Sequence, residues 1–172
     1  MNRGAVHLEM VRERGGSFPV PPAAARYASA RILHCHYCSL AGINRLRNLQ
    51  KLEIVGYPDP SLSPLQGLFR LEHLSIVHLP AVTSLAPLSG LTSLRRLTLS
   101  ALPAWNPDRK PIQVDSLEPL GDLPALEEVN LFGVRSADRS VKVLWRIPSL
   151  RRARLSEYPA GKNLVVELPD RW

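Results

Sequence analysis

Cysteine is nearly absent from this sequence: Cys35 and Cys38 are the only two among 172 residues. A single local Cys-x-x-Cys would staple almost no chain, so a disulfide-rich scaffold is excluded, and the thiols are expected to be reduced. Long apolar runs are missing too. No stretch approaches the roughly 18 consecutive apolar residues of a membrane-spanning helix. The segment from Met1 to Gly16 carries Arg3, Glu9, Arg12, Glu13 and Arg14 in place of the apolar block of a secretory signal. Together these absences lead us to expect a cytoplasmic chain away from the membrane. Aromatic residues are only 6% of the total, too few for the repeated stacking platform that single-stranded nucleic acid uses. Signature motifs of catalysis are also lacking: there is no Gly-x4-Gly-Lys-Ser/Thr, no His-Glu-x-x-His and no Gly-x-Ser-x-Gly. No enzyme activity and no cofactor are expected.

What is abundant is leucine, 29 residues, with 16 prolines beside it. Leucine that dominant signals a periodic chain. The pattern Leu-x-x-Leu-x-Leu/Ile recurs at Leu49/Leu52/Ile54, Leu71/Leu74/Ile76 and Leu94/Leu97/Leu99, then at Leu126/Val129/Leu131 and, weakened, Leu150/Ala153/Leu155. Tyr27/Ala30/Ile32 fits upstream, and Ala5/Leu8/Met10 marks a degenerate first unit. The first positions, from residue 27 to residue 150, are 22, 22, 23, 32 and 24 residues apart. A second block, Ser-Leu-x-Pro-Leu-x-x-Leu-x-x-Leu, is locked to the first at Ser61–Leu71, Ser84–Leu94 and Ser116–Leu126, with looser copies at Ser39–Leu49 and Ser140–Leu150.

The two halves obey different geometry. The first alternates with period two, so each repeat carries a short strand whose fourth and sixth positions face inward. The second spaces apolar residues by three, the step of a 3₁₀ turn or one short helical turn. Its serine is expected at the N-cap, with Pro64, Pro87 and Pro119 in the first turn, where a missing N–H costs nothing. Pro58, Pro80, Pro103 and Pro159 are expected to stop the strands. One strand and one turn cannot bury their own apolar side, so repeats must stack.

On these residues the chain resembles leucine-rich-repeat proteins of the short, 22-residue internalin-like or phosphatase-regulator-like type. The resemblance covers about residues 27–158, or 5–158 with the degenerate unit. It implies an α/β, right-handed leucine-rich-repeat solenoid with a parallel sheet on the concave face and 3₁₀ or short helical turns on the convex face. Residues 1–26 would be a degenerate repeat and N-terminal cap, 27–158 six repeats with an insertion near 104–115, and 159–172 a C-terminal cap using Leu164, Val165, Leu168 and Trp172. The family's usual ninth-position asparagine is replaced by Cys35, Tyr57, Leu79, Leu102, Val134 and Tyr158. The resemblance also implies a protein partner on the concave face.

Strand alternation puts the third, fifth and seventh positions on that face. The seventh reads Leu33, Val55, Val77, Ser100, Phe132, Ser156. Strands stack about 4.8 Å apart, so Leu33, Val55 and Val77 form an apolar strip, with Phe132 further along. Such a strip marks a contact surface for a partner, or is covered by the insertion or the N-terminal segment. Trp105, inside the insertion, is either a binding anchor or a pin against Leu102. The net charge of +7 is carried mostly by arginine, 18 of 22 cations. It is concentrated at 135–154, where seven cations oppose Asp138 alone. That end suits an acidic protein surface, with Arg96, Arg152 and Arg154 orienting the partner, or else is a solvated last turn. Nucleic-acid binding through 135–154 is the competing reading; it is disfavoured because Arg152 and Arg154 are concave while Lys142 and Arg146 are convex. Pairing of open solenoid ends with other subunits is a third. His34-Cys35-His36-Tyr37-Cys38 resembles a ligand set. No metal is expected there, because Cys35 points inward and His34 and His78 lie two strands, about 9–10 Å, apart.

Overall fold

In the computed structural model, residues 6–79, 82–101, 112–157 and 162–167 are described, with side chains as far as residue 156. Twelve strands run in chain order: β1 (Val6–Val11), β2 (Arg14–Ser17), β3 (Tyr27–Leu33), β4 (His36–Ser39), β5 (Lys51–Val55), β6 (His73–Val77), β7 (Arg96–Ser100), β8 (Ile112–Val114), β9 (Glu128–Phe132), β10 (Val134–Ser136), β11 (Arg152–Glu157) and β12 (Lys162–Glu167). Eight of them form one sheet in the order β1-β3-β5-β6-β7-β9-β11-β12. All its pairings are parallel except β11–β12, which is antiparallel. Two small parallel pairs, β2–β4 and β8–β10, lie just beyond the ends of the main strands.

The register follows the repeat. Lys51 pairs with His73 and then Arg96, Leu52 with Leu74 and Leu97, and Val55 with Val77 and Ser100. Fourth and sixth positions point inward: Ala30, Ile32, Leu52, Ile54, Leu74, Ile76, Leu97, Leu99, Val129 and Leu131 are all buried. The period-three half forms 3₁₀ segments at Ile43–Arg45, Ser63–Leu65, Ala86–Leu88, Glu118–Asp122 and Lys142–Arg146. Its leucines close the core from the opposite side, and Leu62, Leu65, Leu68 and Leu71 have no accessible surface. Each side chain buried in this way contributes about 1.5–3 kcal/mol, which is how segments too short to be stable alone hold their shape.

The serine stands one residue earlier than an N-cap. Ser61 Oγ accepts the Ser63 N–H at 3.2 Å, Ser84 Oγ the Ala86 N–H at 3.2 Å and Ser116 Oγ the Glu118 N–H at 3.0 Å. The cap position itself holds Leu62, Leu85 or Leu117, whose side chain is spent on the core. The hydroxyl thus satisfies the first 3₁₀ amide by an i→i+2 turn.

The ninth column is buried at Cys35, Tyr57, Leu79 and Val134, so the loops need other partners than an asparagine ladder. The strand ladder supplies some, continuing one residue further: His34 N–H donates to the Val55 carbonyl, Gly56 N–H to that of Val77, and Ala101 N–H to that of Phe132, each at 2.9 Å. A side chain supplies another. Asp59, 8% exposed, accepts the Ser39 hydroxyl at 2.6 Å and the Leu40 N–H at 2.8 Å. The Tyr57 hydroxyl donates to the Ser61 carbonyl at 2.9 Å, and burial pushes its pKa up.

Among the described residues no helix is long and apolar enough to cross a membrane. Ala5, Pro80, Leu102, Pro103, Tyr158, Pro159, Leu168, Trp172 and residues 104–111 of the 104–115 insertion lie outside the described residues, and Leu164 and Val165 are placed by backbone alone.

Candidate concave binding face

The outward face of the sheet carries three rows, one per odd strand position. The seventh-position row begins on β1, in the degenerate first unit. Val11 on β1 pairs with Leu33 on β3, and Val11 is 50% exposed. Val11, Leu33, Val55 and Val77 therefore stand side by side on four consecutive strands. Leu33, Val55 and Val77 are half-buried, so each keeps a contact edge toward solvent. Ser100, buried, interrupts the row before Phe132, which is 38% exposed. The strip does not run unbroken from Leu33 to Phe132.

The chain turns sharply at the next position. Arg12, His34, Gly56 and His78 all adopt positive φ there, 55°, 53°, 87° and 59°. Glycine takes that conformation without strain; His34 and His78 do not. The two histidine rings stand 6.2 Å apart, centroid to centroid. That is closer than the 9–10 Å expected from strand spacing, since Gly56 between them has no side chain. No group of three or more potential metal ligands occurs among the described residues.

The third-position row sets a histidine between two cations. Lys51, His73 and Arg96 are neighbours in register. They line a shallow groove of about 240 Å³ with Glu53, Ser75 and Thr98. Burial holds the His73 pKa below its ordinary value, and the Arg96 and Lys51 charges add to that against the opposing pull of Glu72. Arg96 is paired with Glu128 at 3.8 Å but keeps 61% of its side chain exposed, so it remains available to a partner carboxylate.

The fifth-position row is largely self-satisfied. Arg31 bridges Glu9 at 3.1 Å and Glu53 at 3.2 Å. Further along, Asn130 donates to Thr98 Oγ1 at 3.3 Å and Glu128 Oε1 at 3.2 Å. Its Oδ1 is buried and has no hydrogen-bond partner among the described residues. Arg152 and Arg154 follow on β11, opposite Glu128 and Asn130, and both are exposed. The structure thus gathers Leu33, Val55, Val77, Phe132, Arg96, Arg152 and Arg154 onto one face. Trp105 lies outside the described residues. Val11, Lys51, His73 and Asn130 join that set. Val11 was readable at the seventh position of the degenerate repeat, and the Lys51/His73/Arg96 row in the third column.

The basic 135–154 stretch divides as its repeat positions require. Arg152 and Arg154 sit on a main-sheet strand, while Lys142 and Arg146 sit on a 3₁₀ segment where Arg146 pairs with Glu118.

Two solved structures share this architecture. Internalin C2 from Listeria monocytogenes aligns with a TM-score of 0.59 and 24% identity, over 80% of this chain and 57% of that one. An internalin (inlF) from the same organism aligns with a TM-score of 0.52 and 15% identity, over 89% of this chain and 49% of that one. The chain therefore spans about half the length of the chains it matches. No protein-family model and no curated protein matches it. The fold is a leucine-rich-repeat solenoid, with the parallel sheet and 3₁₀ turns the resemblance implied.

Proposed function

We propose that this chain is a non-catalytic protein-interaction module that binds a partner protein on the concave face. One observation carries the reading: Val11, Leu33, Val55 and Val77 line up on four consecutive strands beside the groove that Lys51, His73 and Arg96 line, two of them cations. Apolar contact surface flanked by charge is the composition of a protein interface, with affinity from the apolar centre and orientation from the rim. The strip and Phe132 supply the first, joined by Trp105. Arg96, Arg152 and Arg154 supply the second, which favours a partner with acidic patches. A cytoplasmic inhibitor or immunity-type protein that occludes an acidic effector fits this surface.

The test is affinity capture with wild type and a Val55→Asp/Val77→Asp double variant. Both residues point away from the core, so the variant keeps its fold, and the captured partner is expected to be lost. Equal recovery of the same partner by the two proteins removes the strip from the site.

A further inference from the structure

The turns leading from the 3₁₀ segments into β5 and β6 build a second groove, away from the concave face. It encloses about 640 Å³ and is lined by Asn44, Arg45, Arg47, Asn48, Gly67, Phe69 and Arg70. Phe69 is 63% exposed. Its position in the period-three half, between Leu68 and Arg70, is one that faces solvent, where an aromatic ring gains nothing for the core. Around it Arg45, Arg47 and Arg70 are exposed, and none forms an ion pair with a described residue. Arg31, Arg95, Arg96 and Arg146, by contrast, each have a glutamate partner. Cations left unneutralised around an exposed ring are the composition of an interface hot spot.

From this we infer that the Arg45/Arg47/Phe69/Arg70 groove is a second docking site, which takes an extended acidic segment of a partner protein. Guanidinium groups recognise carboxylates through paired hydrogen bonds. Neighbouring repeats lie about 4.8 Å apart and alternate side chains of an extended peptide share one face at about 6.6 Å, a difference that long arginine side chains take up, so two acidic side chains at i and i+2 meet arginines of both repeats. The asparagines favour a peptide over a nucleic acid. Asn48 spends its Nδ2 on the Ala25 carbonyl at 2.6 Å, which leaves Oδ1 as an acceptor. A peptide backbone offers it an N–H at each residue, whereas the sugar–phosphate backbone of DNA offers only acceptors and leaves donors to the base edges. Phe69 is a single ring, without the succession of rings on which bases stack.

The experiment measures fluorescence anisotropy of a labelled glutamate–leucine alternating peptide against the whole chain. The same peptide with glutamine for glutamate and a single-stranded oligonucleotide of matched length serve as comparisons. Binding of the acidic peptide is expected at low salt. It should weaken about tenfold in each of Arg47→Ala, Arg70→Ala and Phe69→Ala, the loss of one charge-assisted or aromatic contact. All three are surface substitutions that leave the core intact. Val55→Asp/Val77→Asp and Arg152→Glu/Arg154→Glu should bind the peptide as wild type does, which separates this site from the concave one and from the general basicity of the protein. The proposal is overturned if the acidic peptide does not bind, if the glutamine peptide or the oligonucleotide binds as well or better, or if Phe69→Ala has no effect.

Discussion

Asp59 is the carboxylate that holds one repeat corner in place, and its removal has a cost that follows from its contacts. It is 8% exposed, yet accepts from the Ser39 hydroxyl at 2.6 Å and from the Leu40 N–H at 2.8 Å. Leu40 itself has no accessible surface. In Asp59→Ala the Ser39 hydroxyl keeps its contact with the Ala41 N–H at 3.0 Å and turns its proton to solvent. The Leu40 N–H has no such exit. An orphaned buried donor costs about 1–3 kcal/mol, and the lost charge-assisted bond adds to that. We expect a total of about 2–3 kcal/mol. For a chain of this size each kcal/mol lowers Tm by about 2–4 °C, so thermal denaturation followed by far-UV circular dichroism should show a fall of roughly 4–12 °C. Asp59→Asn keeps an oxygen for Leu40 and presents an NH₂ to Ser39 Oγ, so it should lose no more than about half as much. An Asp59→Ala variant with unchanged Tm, or an Asp59→Asn variant as unstable as Asp59→Ala, would refute the reasoning, because the Leu40 amide would then not depend on this oxygen.

Three further outcomes are expected. Leu74→Ala, in the middle of the inward row, should cost about 2–5 kcal/mol in chemical denaturation, whereas Phe69→Ala on the surface should cost less than about 0.5 kcal/mol. His73 holds its proton less tightly folded than unfolded, so its contribution to stability is complete above pH 6.5, the ordinary histidine value, and is lost as the pH falls below it. His73→Gln should therefore lose less stability than wild type between neutral and mildly acidic pH; parallel pH profiles would count against the shift. His78 sits at φ 59°. His78→Gly should be neutral or stabilising by up to about 1 kcal/mol, while β-branched His78→Val should destabilise by more than about 1 kcal/mol. The opposite order in urea midpoints would contradict the strained corner.

The strands and 3₁₀ turns were legible in the sequence because one physical constraint repeats in every unit: leucines must face the same interior. Register followed, since a one-residue slip would expose the whole row from Leu52 to Val129. Four features were not legible, each because it depends on contact between side chains or on φ. The serine hydroxyls reach an amide two residues on, a choice made by the leucine that takes the cap position. The approach of His34 to His78 depends on the glycine between them. Asp59 reads as a solvated turn residue in YPDPS until the fold brings Leu40 over it. The interruption of the apolar strip at Ser100 could be read, but its burial could not. The Phe69 groove had a signal, an aromatic at a slot the period of three leaves outside, with Arg70 beside it.

The central claim is that the concave strip is where this protein meets its partner. A photo-crosslinking amino acid placed singly at Leu33, Val55, Val77 and Phe132, and at the convex positions Pro64 and Pro87, tests it most directly in the presence of the captured partner. Adducts with that partner are predicted from the four concave positions and from neither proline position. Adducts from Pro64 or Pro87 with none from Val55 and Val77 would contradict it.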